Sequence, residues 1–432
     1  MNTVSSVDLV WRRSFLRWLA LSTVACGTGL VPGCGVRDDG EIDEAAALWL
    51  ESQQGGYTRN TGLSLSNADM AANVYELRTI AQQQLPPAHF MYLEAAAGAG
   101  ETERENRRAF EQYSIRSQRL HGIDQPDLSV DIMGERWSSP IALSPAGSQK
   151  AFHRDGELAT AEGVKRARGQ MILSSLSTQS IEDVTEKLGF APWFQLYVLN
   201  KESHRQKILA RVQSAGAETI VVTVDDIGGR GSENYIIGMR GDERDCGLCH
   251  DTPRTVAGHA RRKPMLSAFA DEPKFDLGMP GMNWEFLARL RDQISGKMVV
   301  KGILTPQDAE RCVELGADAI FVSNHGGRVS PNGEATLTAL PEIAAAVGGA
   351  ATVLLDSGVR RGSDVFTALA LGADAVCIGR PYLWGLGAFG ADGVERTLGL
   401  LNAELKRMMI QAGAASVQDI KSQSIRRKVL HR

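Results

Sequence analysis

Eight short β-rich runs, each ending in small or polar residues, recur from residue 141 onward. They are Ile141–Gly147, Met171–Ser175, Trp193–Val198, Thr219–Asp225, Lys297–Ile303, Ala319–Gly326, Thr352–Gly358 and Ala375–Pro381. Nearly continuous apolar strands suit a parallel sheet covered on both faces. Between them lie segments of helical period, at Gly156–Arg168, Ser180–Leu188, Lys201–Ala215, Thr305–Leu315 and Arg361–Leu371. Eight such units close naturally into an α/β (β/α)8 barrel, and a doubly wound open sheet is the alternative with the same local pattern. At 432 residues, with 43% hydrophobic and 23% charged residues, the chain can bury a large core. A formal net charge of −4 without a basic patch argues against nucleic acid as a partner.

Barrels of this kind carry their active sites at the C-terminal strand ends. Those ends hold Ser144, Ser174, Ser175, Gln195, Tyr197, Thr223, Asp225, Lys301, Ser323, Asn324, His325, Asp356, Ser357, Gly379 and Arg380. One buried polar residue is ordinarily a satisfied core group, whereas a converging ring of them is a binding site. His325 is the only histidine at a strand end and is the candidate general base. Asp225 is suited to orient its imidazole, Arg328 to grip a carboxylate, and Lys301 to stabilise a developing anion. Gly358, Arg360, Gly379 and Arg380 follow the last two strands, where barrels commonly bind phosphate, so a phosphorylated cofactor is expected.

The box Ser323-Asn324-His325-Gly326-Gly327-Arg328 resembles that of the FMN-dependent 2-hydroxy acid oxidase and dehydrogenase family. The stretches 193–198, 300–302, 356–362 and 379–381 match the same family, as does the pre-barrel segment from Leu85-Pro86 through Tyr92 to Phe110. The resemblance implies FMN as cofactor. Pro145, Ala146 and Gly147 would lie beside its ring, with Ser174, Gln195 and Thr223 on the polar edge and Lys301 at the N1/O2 side. Ser323 would meet the ribityl chain, and Asp356, Gly358, Arg360, Gly379 and Arg380 the ribityl and phosphate. His325 would be the base and Asp225 its partner. Arg328 and Tyr92 would bind the substrate carboxylate, and Tyr197 the substrate hydroxyl. The implied reaction converts a lactate-like L-2-hydroxy acid to its 2-oxo acid, with oxygen, a quinone or a cytochrome as electron acceptor and a homotetramer as the assembly. A flavin-binding exported lipoprotein without turnover is the rival reading. Three positions depart from the family pattern. Ser232 stands where a second substrate-binding arginine is usual, with Arg230 as a substitute. Gly147 leaves room beside the ring, and Leu176 replaces a commoner aromatic.

The N-terminus reads as an address. Arg12-Arg13 followed by Phe15-Leu16 and an apolar stretch from Trp18 to Gly33 resembles a twin-arginine signal over 1–33. Val31-Pro32-Gly33-Cys34 resembles a lipoprotein cleavage site, which would place a lipid anchor on Cys34. A plain cleaved signal and an uncleaved anchor are the alternatives. Export to the periplasm, or to a membrane face toward it, follows. Residues 34–70 read as a linker and 71–432 as the catalytic barrel.

The stretch after the fourth run is too long for a βα loop, so an insertion spans about 226–282. It contains Cys246-Gly247-Leu248-Cys249-His250, a haem c attachment string, with Met265 or His259 as distal ligand. Zinc binding through the two cysteines with His250 and His259, or a Cys246–Cys249 disulfide, are the alternatives. Cys312 and Cys377 read as buried structural residues.

Overall fold

A computed structural model describes residues 63–226, 231–240, 256–272, 275 and 281–428. Its centre is a closed eight-stranded parallel barrel. The strands are β1 (Ile141–Leu143), β2 (Gln170–Ser174), β3 (Trp193–Tyr197), β4 (Thr219–Thr223), β5 (Lys297–Ile303), β6 (Ala319–Val322), β7 (Thr352–Leu355) and β8 (Ala375–Ile378). They pair in sequence order, and β8 closes the ring against β1 through Cys377 opposite Ala142. The open-sheet alternative is therefore excluded. Nearly every strand residue is buried, because helices cover the outside and side chains fill the inside.

Among the described residues three α-helices precede the barrel: α1 (Val74–Gln84), α2 (Pro87–Glu94) and α3 (Glu101–Glu111). Asn73 caps α1, its side chain accepting from the backbone N–H groups of Tyr75 and Glu76. Pro87 opens α2 at a position where a missing N–H costs nothing. A hairpin of Val130–Ile132 and Glu135–Trp137 follows. It presents the buried Trp137 indole to Trp193 at the start of β3, with ring centroids 5.1 Å apart. The barrel helices are α4 (Glu157–Arg166), α5 (Ile181–Leu188) and α6 (Glu202–Ser214). Helices α7 (Glu233–Arg240) and α8 (Val256–Arg261) lie in the long segment between β4 and β5. The barrel resumes with α9 (Trp284–Gln293), α10 (Pro306–Glu314), α11 (Thr336–Val347), α12 (Gly362–Ala370) and α13 (Arg380–Ala412). Ser180, Asn283 and Thr305 cap α5, α9 and α10, their side chains accepting from backbone N–H groups of the first turn.

The α13 span covers 33 residues as two helices joined at a kink, where Phe389 and Gly390 leave helical geometry. Gly385 and Gly393 meet across this bend so closely that a Cβ on either would strike the other's backbone carbonyl. Residues 63–70 end in a short 3-10 turn at Ala68–Met70, and the Gln83 side chain donates to the Leu63 carbonyl. The twin-arginine stretch, Cys34, Arg230, Cys246, Cys249 and His250 all lie outside the described residues.

Candidate active site

A cavity opens at the C-terminal end of the barrel. Its walls include Pro145, Ala146, Gly147, Ser174, Gln195, Thr223 and Lys301 from the first five βα units. His325, Arg328, Asp356, Gly358, Arg360, Gly379 and Arg380 come from the last three, and Tyr92 and Tyr197 line the mouth. Most of the residues singled out at the strand ends therefore converge on one space.

His325 sits in a turn of three successive left-handed residues, with φ of 59°, 68° and 75° at His325, Gly326 and Gly327. A non-glycine residue in this region is uncommon and is held by its surroundings. Here the Ser323 hydroxyl accepts from the His325 N–H at 3.1 Å, and the Asn324 side chain accepts from the Gly327 N–H at 3.0 Å. Asn324 is itself fixed by a reciprocal amide pair with Asn106 of α3, at 2.9 and 2.8 Å. This explains why a pre-barrel segment belongs to the same motif set: α3 braces the turn that presents the histidine. Gly327 cannot carry a side chain, since a Cβ would lie 2.6 Å from the Glu103 nitrogen.

The Asp225 carboxylate lies 2.8 Å from Nδ1 of His325. An ionised carboxylate only accepts, so the proton resides on Nδ1 and Nε2 keeps its lone pair. Nε2 lies 3.2 Å from the Tyr197 hydroxyl. Asp225 stands behind the imidazole and is absent from the cavity wall, which makes it a positioning residue. It can approach because Gly302 has no side chain; a Cβ there would sit 2.7 Å from the Asp225 Cβ.

Lys301 is 3% exposed and donates to Ser323 Oγ at 2.8 Å, with Asp225 and Asp356 carboxylate oxygens at 3.9 and 3.7 Å. Ser323 was expected against the ribityl chain. It is fully buried, and its hydroxyl accepts from the Lys301 ammonium and from the His325 N–H. Ser174, Gln195 and Thr223 form a ladder across β2, β3 and β4. Ser174 donates to Gln195 at 2.8 Å, and the Gln195 amide donates to Thr223 at 2.9 Å.

Arg328 donates to the Tyr92 and Leu93 carbonyls at 2.9 and 3.1 Å, and its guanidinium carbon lies 5.1 Å from the Tyr92 ring centroid. The fork is thus oriented at the mouth, beside Tyr197 and His325.

Helix α13 begins at Gly379-Arg380, and both residues line the cavity. A Cβ on Gly379 would meet nothing within 4 Å, so this backbone faces open space. Arg380 donates to the Gly326 and Ala95 carbonyls, and Arg360 donates to Val359 O and lies 3.3 Å from Glu103. Burial, together with Arg380 and Arg107 nearby, pushes the Arg360 pKa down to about 10 despite the Glu103 carboxylate. Two buried guanidiniums, a helix N-terminus and an open glycine backbone form a cradle that a phosphate dianion would stabilise. These residues fit a phosphorylated flavin. Gly358 also lines the cavity, but its missing side chain is required by Asn106, whose carbonyl would lie 2.5 Å from a Cβ.

One expectation about the ring face changes. Gly147 does not leave free room, since a Cβ there would lie 2.7 Å from the Leu176 Cβ. Leu176 fills that side. Met265 is 2% exposed among core residues, so it is packed away from solvent. His259, the other distal-ligand candidate, lines the cavity. Ser148, Phe152, Ser357 and Leu383 also line it; of these, only Ser357 sat at a strand end where the sequence drew attention. Cys377 reaches the cavity from β8, and burial and Asp356 raise its thiol pKa well above the usual range, so it stays protonated. Cys312 is likewise inert, pushed up to about 12 by burial. Among the described residues no cluster of His, Cys, Asp and Glu could hold a metal ion.

A parallel barrel with a phosphate cradle, a buried lysine under a polar ladder and a carboxylate-oriented histidine at the mouth defines a flavin-dependent oxidoreductase class. The chain belongs to the family of FMN-dependent dehydrogenases, which matches over residues 81–427. It is 38% identical over 365 residues to an L-lactate oxidase from Nostoc sp., covering 81% of this chain and 96% of that protein. An L-lactate dehydrogenase from Alcaligenes faecalis is 35% identical, covering 82% and 98%. Among solved structures, a lactate oxidase from Pediococcus acidilactici superposes with a TM-score of 0.74 at 33% identity, covering 85% and 96%.

Proposed function

We propose that the protein oxidises a small L-2-hydroxy acid to the 2-oxo acid. The observation that carries this reading is the hydrogen-bonded line Asp225–His325–Tyr197 at the same mouth as the Arg328 fork. Bound FMN supplies the two-electron acceptor. Arg328, held over Tyr92, pairs with the substrate carboxylate. Tyr197 and His325 Nε2 receive the hydroxyl group, and Nε2 takes the proton lost from the substrate. Asp225 holds the tautomer and offsets the imidazolium charge that results. Lys301 places a buried cation beside the ladder Ser174–Gln195–Thr223, where negative charge gathered by the cofactor ring would be stabilised. The intact His325–Asp225 pair and Arg328 favour turnover over a non-catalytic flavin carrier. Substrate-dependent bleaching of the flavin without oxygen tests the reading.

The remaining assignments rest on sequence. Arg12-Arg13 before the apolar stretch supports twin-arginine export, and Cys34 a lipid anchor facing the periplasm. Loading of FMN in the cytoplasm would account for export in the folded state. Replacing Arg12 and Arg13 together by lysine is expected to leave flavin-loaded protein in the cytoplasm. Undiminished periplasmic protein would count against the assignment. The electron acceptor is oxygen, or a quinone or cytochrome, and the assembly a homotetramer on family resemblance.

The Cys246–His250 string supports a covalent haem c that would pass electrons onward singly. Protein made with haem-maturation machinery is then expected to keep a haem band through denaturing electrophoresis. Mass spectrometry showing Cys246 and Cys249 unmodified, or joined to each other, would remove the haem and leave a thiol pair or disulfide.

A further inference from the structure

Ser357 follows β7 and lines the cavity in the left-handed region, with φ of 79°, beside Gly358 at 85°. Glycine adopts that region freely, whereas a residue with a side chain is strained there. Its backbone is secured without its own hydroxyl. The buried Thr336 hydroxyl donates to the Asp356 carbonyl at 2.7 Å and lies 3.5 Å from the Ser357 carbonyl. Glycine would keep this conformation with less strain. A strained side chain at a site points to a use for the side chain itself.

The Ser357 hydroxyl accepts from the Gly326 N–H at 3.0 Å and donates to Asp356 Oδ1 at 2.8 Å. That N–H belongs to the peptide leaving His325. Each of the three left-handed residues in the histidine turn thus gives its N–H to a side chain: His325 to Ser323, Gly326 to Ser357 and Gly327 to Asn324. Ser323 and Asn324 belong to the same stretch of chain as the turn. Ser357 comes from the next βα unit and ties the turn to another part of the cavity wall. Arg380 donates to the Gly326 carbonyl at 2.9 Å, so this residue is held at both its polar groups. The far end of the tether is fixed as well. Ser144 Oγ donates to Asp356 Oδ2 at 3.1 Å, and the Lys301 ammonium lies 3.7 Å from the same oxygen. The direction of the imidazole follows the backbone that carries it, and proton transfer needs Nε2 within hydrogen-bond reach of the substrate hydroxyl.

We propose that Ser357 is a positioning residue for the base, its hydroxyl locking the peptide after His325 to the Asp356 carboxylate. This rests on the 2-hydroxy acid reading above, with His325 as base. Ser357→Ala and Ser357→Gly both remove the hydroxyl, and only glycine also removes the strain. The alanine variant is expected to unfold at a lower temperature than wild type, and the glycine variant at a higher temperature than the alanine variant. With L-lactate, kcat per bound flavin should nevertheless fall roughly tenfold in both, the size of one hydrogen bond. KM should stay close to wild type, because Arg328, Tyr92 and Tyr197 are unchanged. A serine with only a structural role would make kcat follow the unfolding temperature. Wild-type kcat in Ser357→Gly, a loss carried by KM, or a glycine variant less stable than the alanine variant would overturn the proposal while leaving the 2-hydroxy acid reading in place. Should the alanine variant fail to fold, kcat and KM of the glycine variant decide. A wild-type holoenzyme that oxidises no short L-2-hydroxy acid would remove that reading and the proposal with it.

Discussion

His325→Gln is expected to retain FMN and lose turnover by ~10²–10⁴-fold, the usual cost of removing a general base. Glutamine keeps a polar side chain of similar reach but has no lone-pair nitrogen able to take a proton at neutral pH. The turn that carries position 325 is secured independently of the imidazole. Ser323 holds the backbone N–H, Asn324 holds Gly327, and Asn106 holds Asn324. The variant should therefore fold, and its cavity should remain able to bind the cofactor. The loss should fall on kcat and kcat/KM together, because the proton transfer occurs only on the way to the transition state. Steady-state rates with the L acid, alongside the flavin content of the purified variant, check this. A kcat close to wild type would remove His325 from its role.

Lys301→Met should damage the protein in a different way. The ammonium lies 3.9 and 3.7 Å from two carboxylates that are themselves nearly buried, and it is anchored to Ser323. Removing one member of a buried charged cluster strands the others, which typically costs ~3–5 kcal/mol. Methionine matches the volume, so little of the loss would come from a cavity. Urea unfolding should show the midpoint displaced to lower denaturant with its slope unchanged. Flavin retention on dialysis should fall as well. A variant as stable as wild type, with flavin fully retained, would contradict both the buried-cation argument and the placement of Lys301 beside the ring.

The barrel was readable in the sequence because its strands are buried on both sides and end abruptly in polar residues. That alternation survives whatever the helices do. Two long helices were not readable for the complementary reason. Helix α13 buries most of its residues between neighbours, and α11 is largely Ala and Leu with Pro341 inside it. Neither shows the one-sided polarity by which a surface helix announces itself. Among site residues, those at strand ends were found because topology alone places them. His259 was placed near a haem string by sequence proximity. Its actual position goes with the docking of its own helix, where Lys263 reaches Ser148 some 115 residues away. Gly147 shows the same limit: a small residue leaves space only if nothing else moves in, and here Leu176 does.

The cavity is expected to bind FMN and to present a small L-2-hydroxy acid to it. An absorbance spectrum of the purified holoprotein, recorded without oxygen before and after adding L-lactate or L-glycerate, tests this most directly. A flavin spectrum that bleaches with the L acid, and stays unchanged with the D enantiomer, is the predicted result. Protein that holds no flavin, or flavin that remains oxidised with every short L-2-hydroxy acid offered, would contradict it.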